Sequence, residues 1–237
     1  MKKESIQEKR NRLINNLFVN FYKKNNYNLN IETASFYKET SVVSWGIRSK
    51  FEDFINFQPI FTVYEKSITK ILEKIFPTKS GRISIRAQGI QFARELNVFD
   101  FDKREFAVVL ENDYDFSTYK YKIFLDTDLI PIIKDHIEFM EKVTLPYFEK
   151  LSTVKGISNY FNNRLLNLPG TDFKNEKTQD SFQKEEVLSS IIASYLEKEE
   201  RLNKVIETYK KLYTDNDWYL NDINILDNWI KENRVKA

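Results

Sequence analysis

The stretch Val42-Val-Ser-Trp-Gly-Ile-Arg-Ser-Lys-Phe51 has the pattern of a half-buried β-strand. Its apolar residues, such as Trp45 and Ile47, alternate with small or polar residues, such as Arg48 and Lys50. β-Branched and aromatic side chains, which strands favour, are enriched in it. We therefore predict a strand with one apolar and one polar face.

Other segments predict partners for this strand. An earlier strand near residues 29–38 can pair with it through a turn at Glu39–Ser41. Residues 81–87 also alternate, and residues 106–110 and 119–125 have the pattern of a hairpin. We expect four or five mainly antiparallel strands in all.

Apolar residues at three- and four-residue spacing predict helices in the remaining segments. In the segment before the sheet, Ile6, Leu13 and Phe21 lie on one face. Pro146 is expected to kink or end the helix that begins near residue 129. Further helices are predicted near residues 60–76, 154–166, 181–197, 199–213 and 221–234.

These elements together predict an α+β fold: a four- to five-stranded mainly antiparallel sheet with helices on one face, followed by an all-helical C-terminal extension. We assign residues 1–168 to the sheet-and-helix domain. We assign residues 181–237 to the helical extension, packed on or beside that domain. The polar stretch 169–180 is the expected linker.

Composition excludes several kinds of chemistry. The 237-residue chain has no cysteine, and His136 is its one histidine. A cysteine nucleophile and a four-ligand zinc site of Cys and His are therefore impossible, and a Ser-His-Asp triad would depend on His136 alone. We find no phosphate-loop or dinucleotide motif and expect no cofactor. Carboxylate chemistry and binding without chemistry remain.

Charge and hydropathy indicate a cytoplasmic protein. The 37 basic and 35 acidic side chains leave a net charge of +2, smaller than the excess usual in a DNA-binding protein. The charged N-terminus lacks the apolar core of a signal peptide, and no apolar run approaches the about 20 residues of a membrane span. We expect no membrane contact, and we expect the partner to be another protein.

Acidic residues in the middle of the chain are candidate metal ligands. Glu111, Asp113 and Asp115 occupy alternate positions, and Asp102 belongs to a second acidic group nearby. Together they could serve a carboxylate-dependent divalent-metal hydrolase, such as a nuclease or phosphoesterase. The spacing does not match a calcium loop, however, because Phe124 stands where the loop needs a glutamate. A solvated hairpin loop is the favoured interpretation, and the metal site is an alternative.

Basic residues at the outward positions of the predicted strands form a second candidate site. On an exposed sheet face they could bind a protein partner or a phosphate backbone. The simpler interpretation is the polar outer face of an antiparallel sheet. Nucleic-acid binding through this face is possible but is not favoured by the net charge. The residues are Arg48, Lys50, Arg82, Arg86, Lys120 and Lys122.

Two further positions have a structural and a functional interpretation. We interpret His136, beside the apolar ladder of its helix, as a residue at the core boundary rather than a general base. Trp218 and Tyr219 precede the last predicted helix. They are either an exposed aromatic anchor or a staple for that helix, with Asn221 or Asp222 as its N-cap.

The order of elements resembles a family. A basic N-terminal helix, a strand with the Trp45-Gly46 step and a helix carrying Leu145-Pro-Tyr-Phe-Glu-Lys-Leu151 follow one another. This order, over residues 1–165, is similar to bacterial domains of unknown function that often occur as immunity proteins of polymorphic-toxin systems. The resemblance implies a non-enzymatic, partner-binding role and provides no catalytic residues. We therefore expect a protein-binding module, for example an immunity-type or sequestering protein.

Overall fold

The computed structural model describes residues 18–51, 54–79, 83–84, 121–123, 129–168 and 182–234, with a few single positions before Phe18. It confirms the predicted α+β class, with an antiparallel sheet and a mostly helical C-terminal part. The chain forms two compact units, residues 1–63 with 84–148 and residues 64–83 with 149–237. The predicted linker, 169–180, lies outside the described residues, so the boundary that we placed there stays a prediction.

The first unit contains the sheet. Its strands are β1 (Asn28–Asn30), β2 (Ser35–Lys38), β3 (Ser41–Phe51), β4 (Phe54–Val63), β5 (Ile83–Ser84) and β6 (Tyr121–Ile123). The order in the sheet is β1-β2-β3-β4-β5, and β6 also pairs with β4. β1 to β4 are consecutive antiparallel neighbours, as their short connections require. The predicted strand at 106–110 lies outside the described residues.

The segment near residues 29–38 contains two strands instead of the single strand that we predicted. A turn separates β1 from β2, and within it Ala34 has a positive φ of 47°. Alanine rarely adopts this left-handed conformation, so its sequence gives no turn signal. The Asn30 side chain supports the turn by accepting hydrogen bonds from the amides of Glu32 and Thr33 at 3.0 and 3.2 Å.

The strand β4 corrects the prediction of a helix that starts at residue 60. The helix is α2 (Lys66–Ile75), and it begins where the Glu65 side chain accepts a hydrogen bond from the Ile68 amide at 2.9 Å. Pro59 lies inside β4. Because proline is rare within strands, it hides the alternation of β4 in the sequence.

Alternation along the strands gives the sheet one buried and one exposed face. Phe36, Val43 and Phe61 are neighbours in register on β2, β3 and β4, and all three are buried. The adjacent positions Tyr37 and Ile60 are 43% and 46% exposed. The buried row supplies the apolar surface that helices can cover.

Helices α1 (Val19–Lys24) and α3 (Leu129–Phe139) cover the buried face. The Tyr22 ring of α1 stacks on Phe36, with ring centroids 4.0 Å apart. The Phe139 ring of α3 lies 5.6 Å from the Phe61 ring. The two helices therefore share one face of the sheet, as predicted.

The helical path continues through Pro146. A π-helical turn, Met140–Thr144, links α3 to α4 (Leu145–Leu151). Proline has no amide hydrogen, and its ring crowds the carbonyl four residues earlier, here that of Lys142. A wider turn with bonds between residues five apart accommodates both effects. Pro146 thus changes the local winding and does not end the helix.

The second unit is helical in its described part. Its helices after α2 are α5 (Val154–Leu166), α6 (Lys184–Leu196), α7 (Leu202–Leu212) and α8 (Asp217–Arg234). The last two predicted helices therefore begin a few residues from where the apolar pattern placed them. Most of α6 is buried on every side. None of the helices in the described ranges is both long and apolar enough to cross a membrane.

Candidate partner-binding site

The sheet register brings two of the predicted basic residues into one row. Arg48 of β3 and Lys122 of β6 each pair with Asn56 of β4, from opposite sides. Two strand spacings separate them, about 10 Å. Lys50 lies where the register between β3 and β4 becomes irregular. The other three residues of this predicted face, Arg82, Arg86 and Lys120, lie outside the described residues.

The acidic candidates are not placed by the structure. Asp102, Glu111, Asp113 and Asp115 all lie outside the described residues. Within the described ranges, no cluster of three or more His, Asp or Glu side chains could hold a metal ion. The divalent-metal hydrolase therefore stays a hypothesis from the sequence.

His136 lies in the core of the first unit and not at its boundary. The imidazole is fully buried, and its Nε2 lies 2.7 Å from the Tyr22 hydroxyl. The rings of Phe18 and Phe61 lie 4.7 and 6.2 Å from it. Burial lowers the pKa of His136 to about 3, because the charged form would lose its hydration. The neutral imidazole therefore packs as an aromatic core residue at physiological pH.

The last helix, α8, begins four residues earlier than predicted. Asn216 Oδ1 accepts a hydrogen bond from the Tyr219 amide at 3.3 Å, so the N-cap is Asn216 and neither Asn221 nor Asp222. The apolar periodicity on which the prediction relied starts only at Ile223. Trp218 and Tyr219 consequently lie in the first turn of α8.

The outer surface of α8 presents a line of exposed residues, which we call the α8 seam. Their spacing of three, four, three and four residues keeps them on one side of the helix. The opposite side, with Ile223, Leu226 and Ile230, is buried. The seam consists of Trp218, Asn221, Ile225, Asn228 and Glu232. Trp218 is 63% exposed and Ile225 is 41% exposed.

Trp218 is held in place by a buried lysine. The Lys184 ammonium nitrogen, on α6, lies 3.6 Å from the centre of the Trp218 ring. The same group donates a hydrogen bond to the Trp218 carbonyl oxygen and lies 2.7 Å from Asp222 Oδ2. Its three N–H groups therefore have a carbonyl, a carboxylate and an aromatic face as partners.

A second lysine also pairs with Asp222. Lys79 Nζ lies 2.8 Å from Asp222 Oδ2 and 5.9 Å from the centre of the Trp218 ring. Burial acts to raise the pKa of Asp222, but its bonds and charge interactions with Lys184 and Lys79 outweigh that effect and lower the pKa. Asp222 is therefore ionised at neutral pH, and it ties the start of α8 to two other segments.

Aromatic side chains support the inner edge of Trp218. The Tyr219 ring contacts it edge to face, with centroids 5.1 Å apart, and stacks on Tyr213 at 4.1 Å. The hydroxyl groups of Tyr213 and Tyr219 both donate hydrogen bonds to the Phe182 carbonyl, at 3.1 and 3.3 Å. Trp218 is thus exposed and at the same time fixed, which lowers the entropy cost of using it in binding.

A second lysine-bound carboxylate fixes the middle of α8. Asp227 Oδ2 accepts hydrogen bonds from Lys210 of α7 at 2.6 Å and from Lys231 at 2.9 Å. These bonds and charges lower the pKa of Asp227, although its burial acts in the opposite direction. The seam is therefore attached rigidly to the rest of the unit.

A buried polar network joins α5 and α6 and is a structural feature that the sequence did not indicate. The Glu199 carboxylate accepts hydrogen bonds from Ser158 at 2.6 Å, from Ser194 at 2.7 Å and from Arg201 Nε at 2.7 Å. The amide of Asn162 donates to Ser194 Oγ at 2.9 Å. Burial opposes ionisation of Glu199, but these donors outweigh it and lower its pKa. Because the serine hydroxyl groups donate to a carboxylate inside the helix pair, the network stabilises packing.

The sequence contained a signal for the α8 seam. Trp218 is one of the candidates from the sequence, but the apolar stripe of the last helix indicates only its buried side. Asn221, Ile225 and Asn228 continue the heptad spacing that begins at Trp218. No local pattern, in contrast, relates Lys184 to Asp222, because they belong to different helices.

Comparison with known proteins gives no match, since no family model, curated protein or solved structure matches the chain. The resemblance to immunity proteins therefore stays a prediction.

Proposed function

We propose that the chain is a non-enzymatic protein-binding module and that the α8 seam is its binding surface. The observation that carries this proposal is the exposed Trp218 ring, fixed from below by Lys184 at 3.6 Å. In this role the protein would sequester or occlude another protein, as the resemblance to immunity proteins implies.

Tryptophan is the residue type most enriched at binding hot spots. It buries a large area when a partner covers it, and a ring that is already ordered loses little entropy on binding. Truncation of such an anchor to alanine typically costs about 2–4 kcal/mol of binding free energy. We expect an effect of this size at Trp218.

The spacing of the seam favours a helical partner. Side chains at i, i+3 and i+7 are the contacts that one helix makes with a helix packed along it. Trp218 and Ile225 supply the apolar contacts, about 10 Å apart along the axis. Asn221 and Asn228, between and beyond them, supply amide groups that select partners able to form hydrogen bonds.

Affinity capture from native lysate with matched variants tests this proposal. We expect one stoichiometric protein partner to bind the wild type, to be lost with Trp218→Ala and to be retained with Tyr37→Ala. Tyr37 is a matched control because it is also a large exposed aromatic residue, but it lies on the sheet. Capture that is unchanged by Trp218→Ala would remove the α8 seam as the binding surface.

The outer sheet face is a second candidate surface for the same function. It is favoured by the register row that contains Arg48 and Lys122, together with exposed Tyr37 and Ile60 on the same sheet. Charge reversal by Arg48→Glu with Lys122→Glu should weaken binding of a partner that uses this face. Unchanged affinity with the folded double variant would eliminate it.

A further inference from the structure

We infer that the α8 seam binds the same seam of a second copy of this chain, with the two helices parallel and in register. This inference rests on the proposed function, because it names the partner of that surface. It follows from the order of residue types along the seam. A parallel and an antiparallel pair of helices would place different residue types opposite each other.

Apolar and amide side chains alternate along the first four positions of the seam. Trp218 and Ile225 are apolar, and Asn221 and Asn228 lie between and after them. In a parallel pair, each layer brings a residue together with its own counterpart. An amide group is both donor and acceptor, so two facing asparagines can satisfy each other. The first four layers of the parallel pair are therefore matched in kind, whereas the fifth brings two exposed Glu232 carboxylates together.

An antiparallel pair would mismatch every layer. It would place Trp218 opposite Asn228 and Asn221 opposite Ile225, because the layers then combine alternate positions of the two helices. Each amide would be covered by an apolar side chain and would lose its hydrogen bonds to water without replacement. A buried polar group left in this state reduces the association constant by about five- to 150-fold.

Charge at the helix ends favours the antiparallel pair, but it changes the association constant by a smaller factor than the unpaired amides do. Parallel helices bring the exposed Asp215 and Asp217 of the two copies together, and likewise Lys231 and Arg234. Antiparallel helices would instead bring opposite charges together. An exposed ion pair changes an equilibrium constant by about five-fold at most, and salt screens it. The amide layers therefore make the parallel pair the more stable one. Salt should strengthen it, because salt screens the repulsion between the like charges at the helix ends.

The same matching favours a second copy over an unrelated helix. A different partner would need amides at two layers with the spacing of Asn221 and Asn228, whereas an identical helix meets this condition by symmetry. Self-complementary surfaces of this kind form twofold dimers. The five residues of the seam are fewer than the about 20–30 residues a side of a standard interface, so the dimer should be weak and should dissociate on dilution.

Variants with a single introduced cysteine test whether a second copy binds the seam and whether the two helices are parallel. The chain has no cysteine of its own, so each introduced thiol is unique. Under mild oxidation, Asn221→Cys and Asn228→Cys should each form disulfide-linked homodimers, because facing residues of a parallel pair come within disulfide reach. Lys204→Cys, at an exposed position of α7, is the matched control for random collision and should stay monomeric.

Sedimentation velocity over a concentration series provides the second readout. We expect the wild type to dimerise reversibly, more strongly at 500 mM than at 50 mM salt. Ile225→Asp should weaken dimerisation at least ten-fold, and Ile60→Asp, at an exposed position of the sheet, should not change it.

The outcomes separate this inference from the proposed function. Cross-linking only in a mixture of Asn221→Cys and Ile225→Cys would show antiparallel pairing and overturn the inference. A monomer at every concentration, with no specific cross-link, would overturn self-association. Capture of a different protein that depends on Trp218 would then leave the binding function intact. Absence of both self-association and Trp218-dependent capture would eliminate the α8 seam as a binding surface.

Discussion

The ammonium group of Lys184 lies 3.6 Å from the centre of the Trp218 ring, so an almost fully buried cation supports a residue that is 63% exposed. Asp222 neutralises this cation. The contact explains how a large apolar side chain keeps one position at the surface. It also makes the surface depend on a buried charge pair, which can be tested.

Lys184→Met should destabilise the protein by about 2–4 kcal/mol. The variant removes the contact with the Trp218 ring and one of the two lysines on Asp222. Lys79 still pairs with that carboxylate, which limits the loss. Urea denaturation measures the change in unfolding free energy, and Lys198→Met, at an exposed position, is the control. Equal stability of the two variants would contradict a supporting role for Lys184.

His136 should make stability depend on pH between about 3 and 6.5. Burial lowers the pKa of His136 to about 3 in the folded chain, while an unfolded histidine titrates near 6.5. The unfolded chain therefore binds one more proton in this window, and stability falls as the pH decreases, by up to about 5 kcal/mol at pH 3.

His136→Phe should remove this dependence between pH 4.5 and 6.5, because the chain has no other histidine. The variant loses some stability at pH 7, since the Tyr22 hydroxyl loses its partner. Chemical denaturation at several pH values measures the slope for both proteins. An equal slope would show that His136 is protonated in the folded protein.

Asp222 and Asp227 should contribute stability that disappears only in strong acid. Lysine partners lower the pKa of both carboxyl groups in the folded chain. Their contribution is therefore complete above the unfolded value, near pH 4, and is lost as the pH falls through the lower folded value.

Asp227→Asn should cost about 1–3 kcal/mol at pH 7, because two charged hydrogen bonds become weaker ones. The same variant should differ less from the wild type as the pH falls, because protonation of Asp227 removes the charge that the substitution removes. Asp215→Asn, at an exposed position, is the control and should match the wild type. Thermal unfolding at pH 7 and pH 2 compares the three proteins.

Gly156→Ala should destabilise α5 by about 1–3 kcal/mol or more. A Cβ atom at Gly156 would lie 1.8 Å from the Lys150 carbonyl oxygen, which belongs to the backbone and cannot rotate away. Lys155→Ala, at the exposed neighbouring position, should be tolerated. Urea unfolding of both variants measures the difference, and equal stability would mean that the turn before α5 adjusts at little cost.

Sequence patterns predicted the class of the fold and several of its elements. The alternation from Val42 to Phe51 was sufficient to predict β3, because a strand with one apolar and one polar face has this pattern. Prediction from local patterns was wrong at two positions where the residue type is rare in the structure that it adopts. Pro59 hid a strand, and the left-handed Ala34 hid a turn, because tertiary contacts outweigh local preference at both positions.

The candidate site could be predicted only in part. The spacing from Trp218 to Asn228 is a property of the sequence, and it identifies one side of a helix. The support beneath Trp218 is not a property of the local sequence, because Lys79, Lys184 and Asp222 come together only when separate segments pack. Exposure of Trp218 likewise depends on which side of α8 the rest of the unit covers.

The π-helical turn at Met140–Thr144 also changes the repeat of the helix around it. His136, Met140, Thr144 and Phe148 are all buried, so the buried positions recur every four residues. In an α-helix, residues four apart drift by about 40° at each step, and such a line would soon turn away from the core. The wider turn corrects this drift. The line of buried positions therefore continues along one side of the segment over the thirteen residues from His136 to Phe148, where an unbroken α-helix would have turned it away.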